Sequence, residues 1–458
     1  MIESTAEDLL SLDQDVARAA GNLARWRAEL AAHGARDLAV VADREDPFES
    51  VRHVAGQSLW DALQRLSLAP AEAMHRDALR RWVYALMQAR IGLVFEIAMV
   101  RAKAEPTGRF VGPPPRLVSF ADAWRGVLVS TSAGQANEWL RAAADAAPLY
   151  ADLGRRRAAR RVDVALRLGL EHPWIPLVGV APVALSELAV RVLDATEDLW
   201  RHVQAQAPQS KEVAASVFRR AVARDAGEGW PGSISMAWLA SVTGMAEGRV
   251  ELEVQSLPAP LGASSFLRAL YAAGCFARIS LGRCGLPFSL AEEPVCVAGH
   301  RWGLAFASLG TSIDWQVREL GLGKRTASAQ VRSATYAALF ELRLQAARVL
   351  LGDDASPSPE ALFEELCVRL VGVPLDTRLR GAWPSRREDD PARMIAWVQA
   401  PSFIAGLRDT FDLDWYRNPR AWSHMRDLAS RPAHEDVDVS ILYAQAHALA
   451  RAFEGALG

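Results

Sequence analysis

Four cysteines and nine histidines are the residues of this 458-residue chain best suited to metal or nucleophilic chemistry, and their spacing limits what they can do. Cys275, Cys284 and Cys296 fall in one short stretch that ends at His300, with Cys367 apart from them. A Cys3His set would make a closed, tetrahedral, structural zinc site. Such sites are built on CxxC pairs, and the spacings of 9, 12 and 4 residues here contain none. Reduced, buried thiols are the expectation. No two histidines stand one helical turn apart, so no single helix offers a ready two-imidazole face. The sequence also lacks GxxxxGK[ST], GxGxxG after a strand, GxSxG, the kinase set and HExxH. Phosphate, dinucleotide and acyl chemistry are thereby left without their usual signatures. Glu292 and Glu293 are adjacent and point apart, which suits a helix flank before Pro294 better than an acid/base pair. Asp389 and Asp390 before Pro391 read as a helix start, where the helix dipole favours negative charge.

The elements that must position these residues are helices. Trp82, Leu86, Ala89, Leu93, Ile97 and Val100 step by three and four, and the segments beginning at Leu9, Phe120, Val183 and Thr326 behave alike. Pro/Gly clusters at 108–116, 171–182, 206–211, 227–232, 257–262 and 353–360 punctuate them. One strand is expected, at 249–255, where Val250, Leu252 and Val254 alternate with polar residues. The fold class is therefore all-α, with at most one small β-sheet or hairpin. The main division is placed near 206–211, giving an N-terminal helical lobe over 1–210 and a C-terminal lobe over 211–458. No unit of 20 to 50 residues repeats, which argues against a solenoid.

Composition sets outer bounds. Half the residues are hydrophobic and 23% are charged, which excludes a disordered chain. With 52 Lys plus Arg against 54 Asp plus Glu, the chain carries no electrostatic footprint for nucleic acid. The start, MIESTAEDLL, has neither the basic end nor the apolar block of a secretory signal, so the cytoplasm is expected. Residues 82–100 are the best membrane candidate, but Gln88, Arg90 and Glu96 interrupt them, and a core helix is the better reading. Arg90 and Glu96 are expected to pair with each other or with partners across a cleft. The basic run at 154–163 reads as the solvated face of a helix.

The order of segments in the second half resembles the thimet oligopeptidase and oligoendopeptidase F-like zinc metallopeptidases. In that family one helix carries HExGH and a second supplies a glutamate about twenty-five residues after its second histidine, completing the zinc ligands. Here LYAAGCFARI, 270–279, occupies the place of the HExGH helix, with Gly274 at the family glycine. Tyr271 then stands at the first histidine, Ala272 at the general-base glutamate and Cys275 at the second histidine. His300 falls where the third ligand should be. DWQVRELGL at 314–322, the helix at 332–351 and DWYRNP within 410–422 resemble the family's later segments, with Trp422 replacing a small residue. The resemblance spans about residues 229 to 431.

That resemblance implies a two-lobed metallopeptidase-like architecture, and the substitutions imply loss of its chemistry. Zinc hydrolysis needs a metal to acidify water and a carboxylate to take its proton, and alanine at 272 supplies neither. A phenol titrating near 10 is a poor ligand at neutral pH. Zinc is therefore expected to be lost, leaving no cofactor. The stretch 389–411 also lacks the tyrosines and histidine with which family members grip the tetrahedral intermediate. Trp397 in that stretch is a candidate channel-lining residue, with a core role as the alternative. The expectation is a pseudopeptidase that binds a peptide or protein partner, including an active paralogue, with no role at membranes or nucleic acid. The alternative is an active metallopeptidase-type hydrolase whose ligands lie elsewhere.

Overall fold

The computed structural model describes residues 6–33, 46–130, 132–205, 213–222, 230–231, 233–250, 257, 262–282, 285–352 and 359–457. Ten principal helices carry the architecture: α1 Ala6–His33, α2 Pro70–Ala104, α3 Phe120–Val129, α4 Ala133–Arg167, α5 Pro182–Ala195, α6 Ala263–Gly282, α7 Val297–Ala307, α8 Lys324–Gly352, α9 Asp390–Phe411 and α10 Val439–Leu457. Local chemistry explains their starts. Ser119 and Ser132 accept hydrogen bonds from the backbone N–H groups of Asp122 and Gln135, capping α3 and α4. At α9, Asp389 is the N-cap residue and Pro391 sits in the first turn, where its missing N–H costs nothing.

Among the described residues, one sheet breaks the helical pattern. Strands β1, Pro106–Phe110, and β2, Arg116–Ser119, pair antiparallel, with Gly108 opposite Val118 and Phe110 opposite Arg116. The hairpin lies flat on α4. A Cβ on Gly108 would come 2.2 Å from the Ala142 carbonyl oxygen, so only glycine allows this approach. Phe110 stacks on Trp139 at a centroid separation of 3.7 Å. The sheet thus forms in a segment whose Gly and Pro content reads as a loop. Most of the strand expected at 249–255 lies outside the described residues; Arg249 and Val250 belong to no strand.

Two large apolar cores, with two small satellite clusters, organise the helices among the described residues. The larger takes in residues from Leu9 to Phe453 and joins helices from both halves of the chain. The smaller gathers Leu239, Phe266, Trp302, Phe306, Trp415 and Trp422. The boundary expected at 206–211 falls on residues outside the described ones.

α2 is long and apolar enough to cross a membrane by length and composition. Its interior polar groups are nevertheless paired within the protein. Gln88 donates to the Tyr84 hydroxyl and to the Arg161 carbonyl. Glu96 accepts from Arg27 at 2.6 Å and from Arg157 at 2.9 Å, while Arg90 reaches the Ala55 carbonyl at 3.5 Å. The basic run on α4 is correspondingly split. Arg155 and Arg156 pair with Asp152 near the surface, whereas Arg157 and Arg161 turn inward to Glu388. A run expected to be wholly solvated is half structural, because helical geometry aims its members in different directions.

Candidate functional site

The site begins where α6 meets α7, and two glycines set how closely these helices approach. A Cβ on Gly274 would stand 2.5 Å from the Trp302 carbonyl oxygen, and one on Gly303 would stand 2.7 Å from Cys275 Sγ and 2.8 Å from the Tyr271 ring. Without side chains at both positions, the helices close until Tyr271 and Cys275, one turn apart on α6, face His300 and Gly303 on α7. The N-terminus of α7 is capped by Cys296, whose sulfur accepts from the Gly299 N–H at 3.1 Å.

The Tyr271 hydroxyl forms a short hydrogen bond with His300 Nδ1. Burial, followed by the neighbouring Cys275, raises the Tyr271 pKa well above its ordinary value, so the phenol keeps its proton. Burial likewise holds His300 down to about 4 against the opposing pull of Asp389, with Arg393 and Arg387 acting in the same direction as burial, so the imidazole is neutral. His300 Nε2 lies 3.6 Å from the Asp389 carboxylate, which favours the ring proton on that nitrogen. The phenol O–H therefore donates and Nδ1 accepts. Arg393 completes the group: its guanidinium lies 5.2 Å from the centre of the Tyr271 ring and its Nε is 2.8 Å from Asp389. Burial pushes the Cys275 thiol up to about 12 and the Cys296 thiol up to about 11.

These residues do not fit a zinc ion. The lone pair of Nδ1 is committed to the phenol, the thiol holds its proton, and Ala272 brings only a methyl group. Among the described residues no group of three or more His, Cys, Asp or Glu side chains is placed to hold a metal. The Cys3His arrangement gains no support either, since Cys296 serves as a helix cap and Cys284 lies outside the described residues.

Tyr271, Ala272 and His300 form part of the wall of a cavity of about 1140 Å³. The opposite walls come from α2, α3, α4, α8, α9 and α10, so the space lies between the earlier and later helices of the chain. Trp397 lines it, as do Trp124 and Trp383. Seven cationic side chains reach the lining, Lys103, Arg268, Arg348, Arg387, Arg393, Arg408 and Arg451, against two carboxylates, Glu341 and Asp409. Glu341 sits among four of the guanidiniums. Burial would raise its pKa, but Arg348, Arg268, Arg387 and Arg393 together hold it down to about 2, and Arg348 bonds it at 3.0 Å. Arg387 is pushed down to about 10 by burial and by repulsion from Arg348 and Arg393.

Sequence reasoning missed this charged wall. A faint signal existed in α8, where Glu341 and Arg348 stand seven residues apart, a spacing that puts both on one face. Lys103 and Arg387 carry no comparable signal, because segments far apart in sequence bring them to the same space.

No family model matches the sequence, and no curated protein matches it. The fold does have a counterpart among solved structures: the crystal structure of a protein described as an oligoendopeptidase F from Bacillus anthracis str. Ames. The two superpose with a TM-score of 0.61 over 93% of this chain and 86% of that one, at 11% sequence identity. At that identity the likeness is one of fold. The protein therefore has a mainly helical, oligoendopeptidase-like fold.

Proposed function

We propose that this chain is a non-hydrolysing protein of oligoendopeptidase architecture that binds a peptide or an extended protein segment in its central cavity. The observation that carries this reading is the Tyr271–His300 hydrogen bond. With the ring proton on Nε2 beside Asp389, it occupies the one imidazole lone pair left to a metal, on a wall where Ala272 provides no proton acceptor. A cavity of about 1140 Å³ exceeds the roughly 300–1,000 Å³ typical of small-molecule sites, which suits a length of chain. Aromatic side chains such as Trp397 supply apolar walls for it. The bound chain is a free peptide or a segment of a protein partner, an active paralogue included, and the setting proposed is the cytoplasm.

The test combines metal analysis of the purified protein with a quenched-fluorescent peptide library. The expected result is less than stoichiometric metal and no cleavage, with peptide binding retained in the presence of a chelator. Stoichiometric zinc together with cleavage that a chelator abolishes would overturn the reading in favour of an active metallopeptidase.

A further inference from the structure

The cavity wall is far more basic than the protein that surrounds it. Seven cations and two carboxylates line the space in a chain whose formal net charge is −2. Five of the cations have no carboxylate within ion-pair distance among the described residues; three of these, Lys103, Arg268 and Arg387, matter here, with Glu341 within electrostatic reach of both arginines and Asp389 within reach of Arg387. They approach the space from three separate helical regions: Lys103 from the end of α2, Arg268 from α6 and Arg387 from the segment leading into α9. Arg387 depresses the pKa of Lys103 in addition to the effect of burial, so the two charges repel. Glu341 is already bonded to Arg348, and Asp389 to Arg393. Cations that repel one another around a void are stabilised by an anion entering it.

We propose that the cavity selects an acidic peptide, one whose carboxylates seat among Lys103, Arg268 and Arg387 while its apolar side chains lie against Trp397 and its neighbours. This inference rests on the peptide-binding reading above and names the class of peptide. Guanidinium groups recognise carboxylates through paired, charge-assisted hydrogen bonds, so the preference is for carboxylate over its uncharged amide isostere. Peptide carboxylates are favoured over those of a small polycarboxylic acid, because the aromatic walls leave such an acid without apolar partners.

The experiment uses the full chain and fluorescence anisotropy with three dye-labelled decapeptides of matched length and aromatic content. One is rich in Glu, one has Gln at the same positions, and one has Lys there. The Glu peptide is expected to bind at least roughly tenfold more tightly than the Gln peptide, to weaken as salt is raised, and to exceed the Lys peptide by more. R268Q/R387Q is expected to remove the preference for Glu over Gln, and its thermal midpoint checks that it folds. Equal binding of the Glu and Gln peptides would overturn the acidic selectivity and leave peptide binding standing. No binding by any of the three would overturn both. An unchanged Glu preference in the variant would overturn the assignment to these residues. Displacement of the Glu peptide by equimolar citrate would overturn the choice of a peptide over a small acid.

Discussion

Two arginine-rich regions of this molecule look alike in composition and differ in balance. Between α1, α2 and α4, Glu96 and Glu388 are held by Arg27, Arg157 and Arg161, with the Glu96 contacts at 2.6 and 2.9 Å and the longer Glu388 contacts at 3.6 and 3.7 Å. The three guanidiniums there converge on two carboxylates in a closed network that ties the N-terminal helix to the rest of the chain. The cavity wall carries six arginines and a lysine against two carboxylates, a much larger excess of cations, and they face a void. Charge balance therefore separates arginines that hold the fold together from those whose counter-charge the proposed ligand would supply. Arg343 is the extreme of the first kind: it is buried completely, bonds Glu197 at 2.6 Å and also donates to the Leu193 and Arg369 carbonyls and to Thr196.

The sharpest way to break this comparison is to remove one charge from each region. Glu388→Gln leaves three guanidiniums short of a counter-charge and is expected to cost about 3 kcal/mol of stability, whereas Arg387→Gln relieves repulsion and should change stability by less than about 0.5 kcal/mol. Urea denaturation measures both, and equal losses would dissolve the distinction. The same pair has a pH signature. The Arg161, Arg27 and Arg157 guanidiniums hold Glu388 down to about 2 against the upward push of burial. Its stabilisation is therefore complete above the ordinary carboxylate value of 4.5 and is lost as pH falls from there towards 2. The Gln variant should lack that part of the acid limb.

A smaller effect tests the floor of the cavity. Gly303→Ala drives a methyl group into Cys275 Sγ and the Tyr271 ring, at an expected cost of about 2 kcal/mol. The double variant G303A/C275A should recover part of that loss, since it removes the sulfur. Additive losses in thermal denaturation would mean that the two positions are not in contact.

A last effect, read from the pH dependence, concerns His300. Its imidazole is held at about 4 against an ordinary 6.5, so the unfolded chain takes up the proton first. Stability is then undiminished above pH 6.5 and declines as pH falls between 6.5 and 4. His300→Gln should flatten that interval, and NMR titration of the ring should place its midpoint near the lower end. A midpoint near 6.5 would break the picture of a neutral ring bonded to Tyr271.

Particular residues show how much was legible beforehand. The helical steps from Trp82 to Val100 lie within α2, and the Asp389–Pro391 start opens α9, because both depend on local periodicity and capping. The positions singled out by family likeness, Tyr271, Ala272, Cys275 and His300, lie on two facing helices, and three of them line the cavity. The hairpin at 106–119 was not legible, since its strands are short and its Gly and Pro residues carry the signal of a turn. The partners of Glu96 were not legible either, because Arg27 and Arg157 lie 69 and 61 residues away.

Residue identities and local spacing were enough to establish a helical protein, and to show that the chain carries no HExxH motif. Those properties follow from chemistry that each short segment carries with it. Which arginines are satisfied and which face open space was decided only by folding, because an ion's environment depends on groups that converge from distant parts of the chain. Lys103, Arg268 and Arg387 acquire a common role only when α2, α6 and the approach to α9 enclose the same volume.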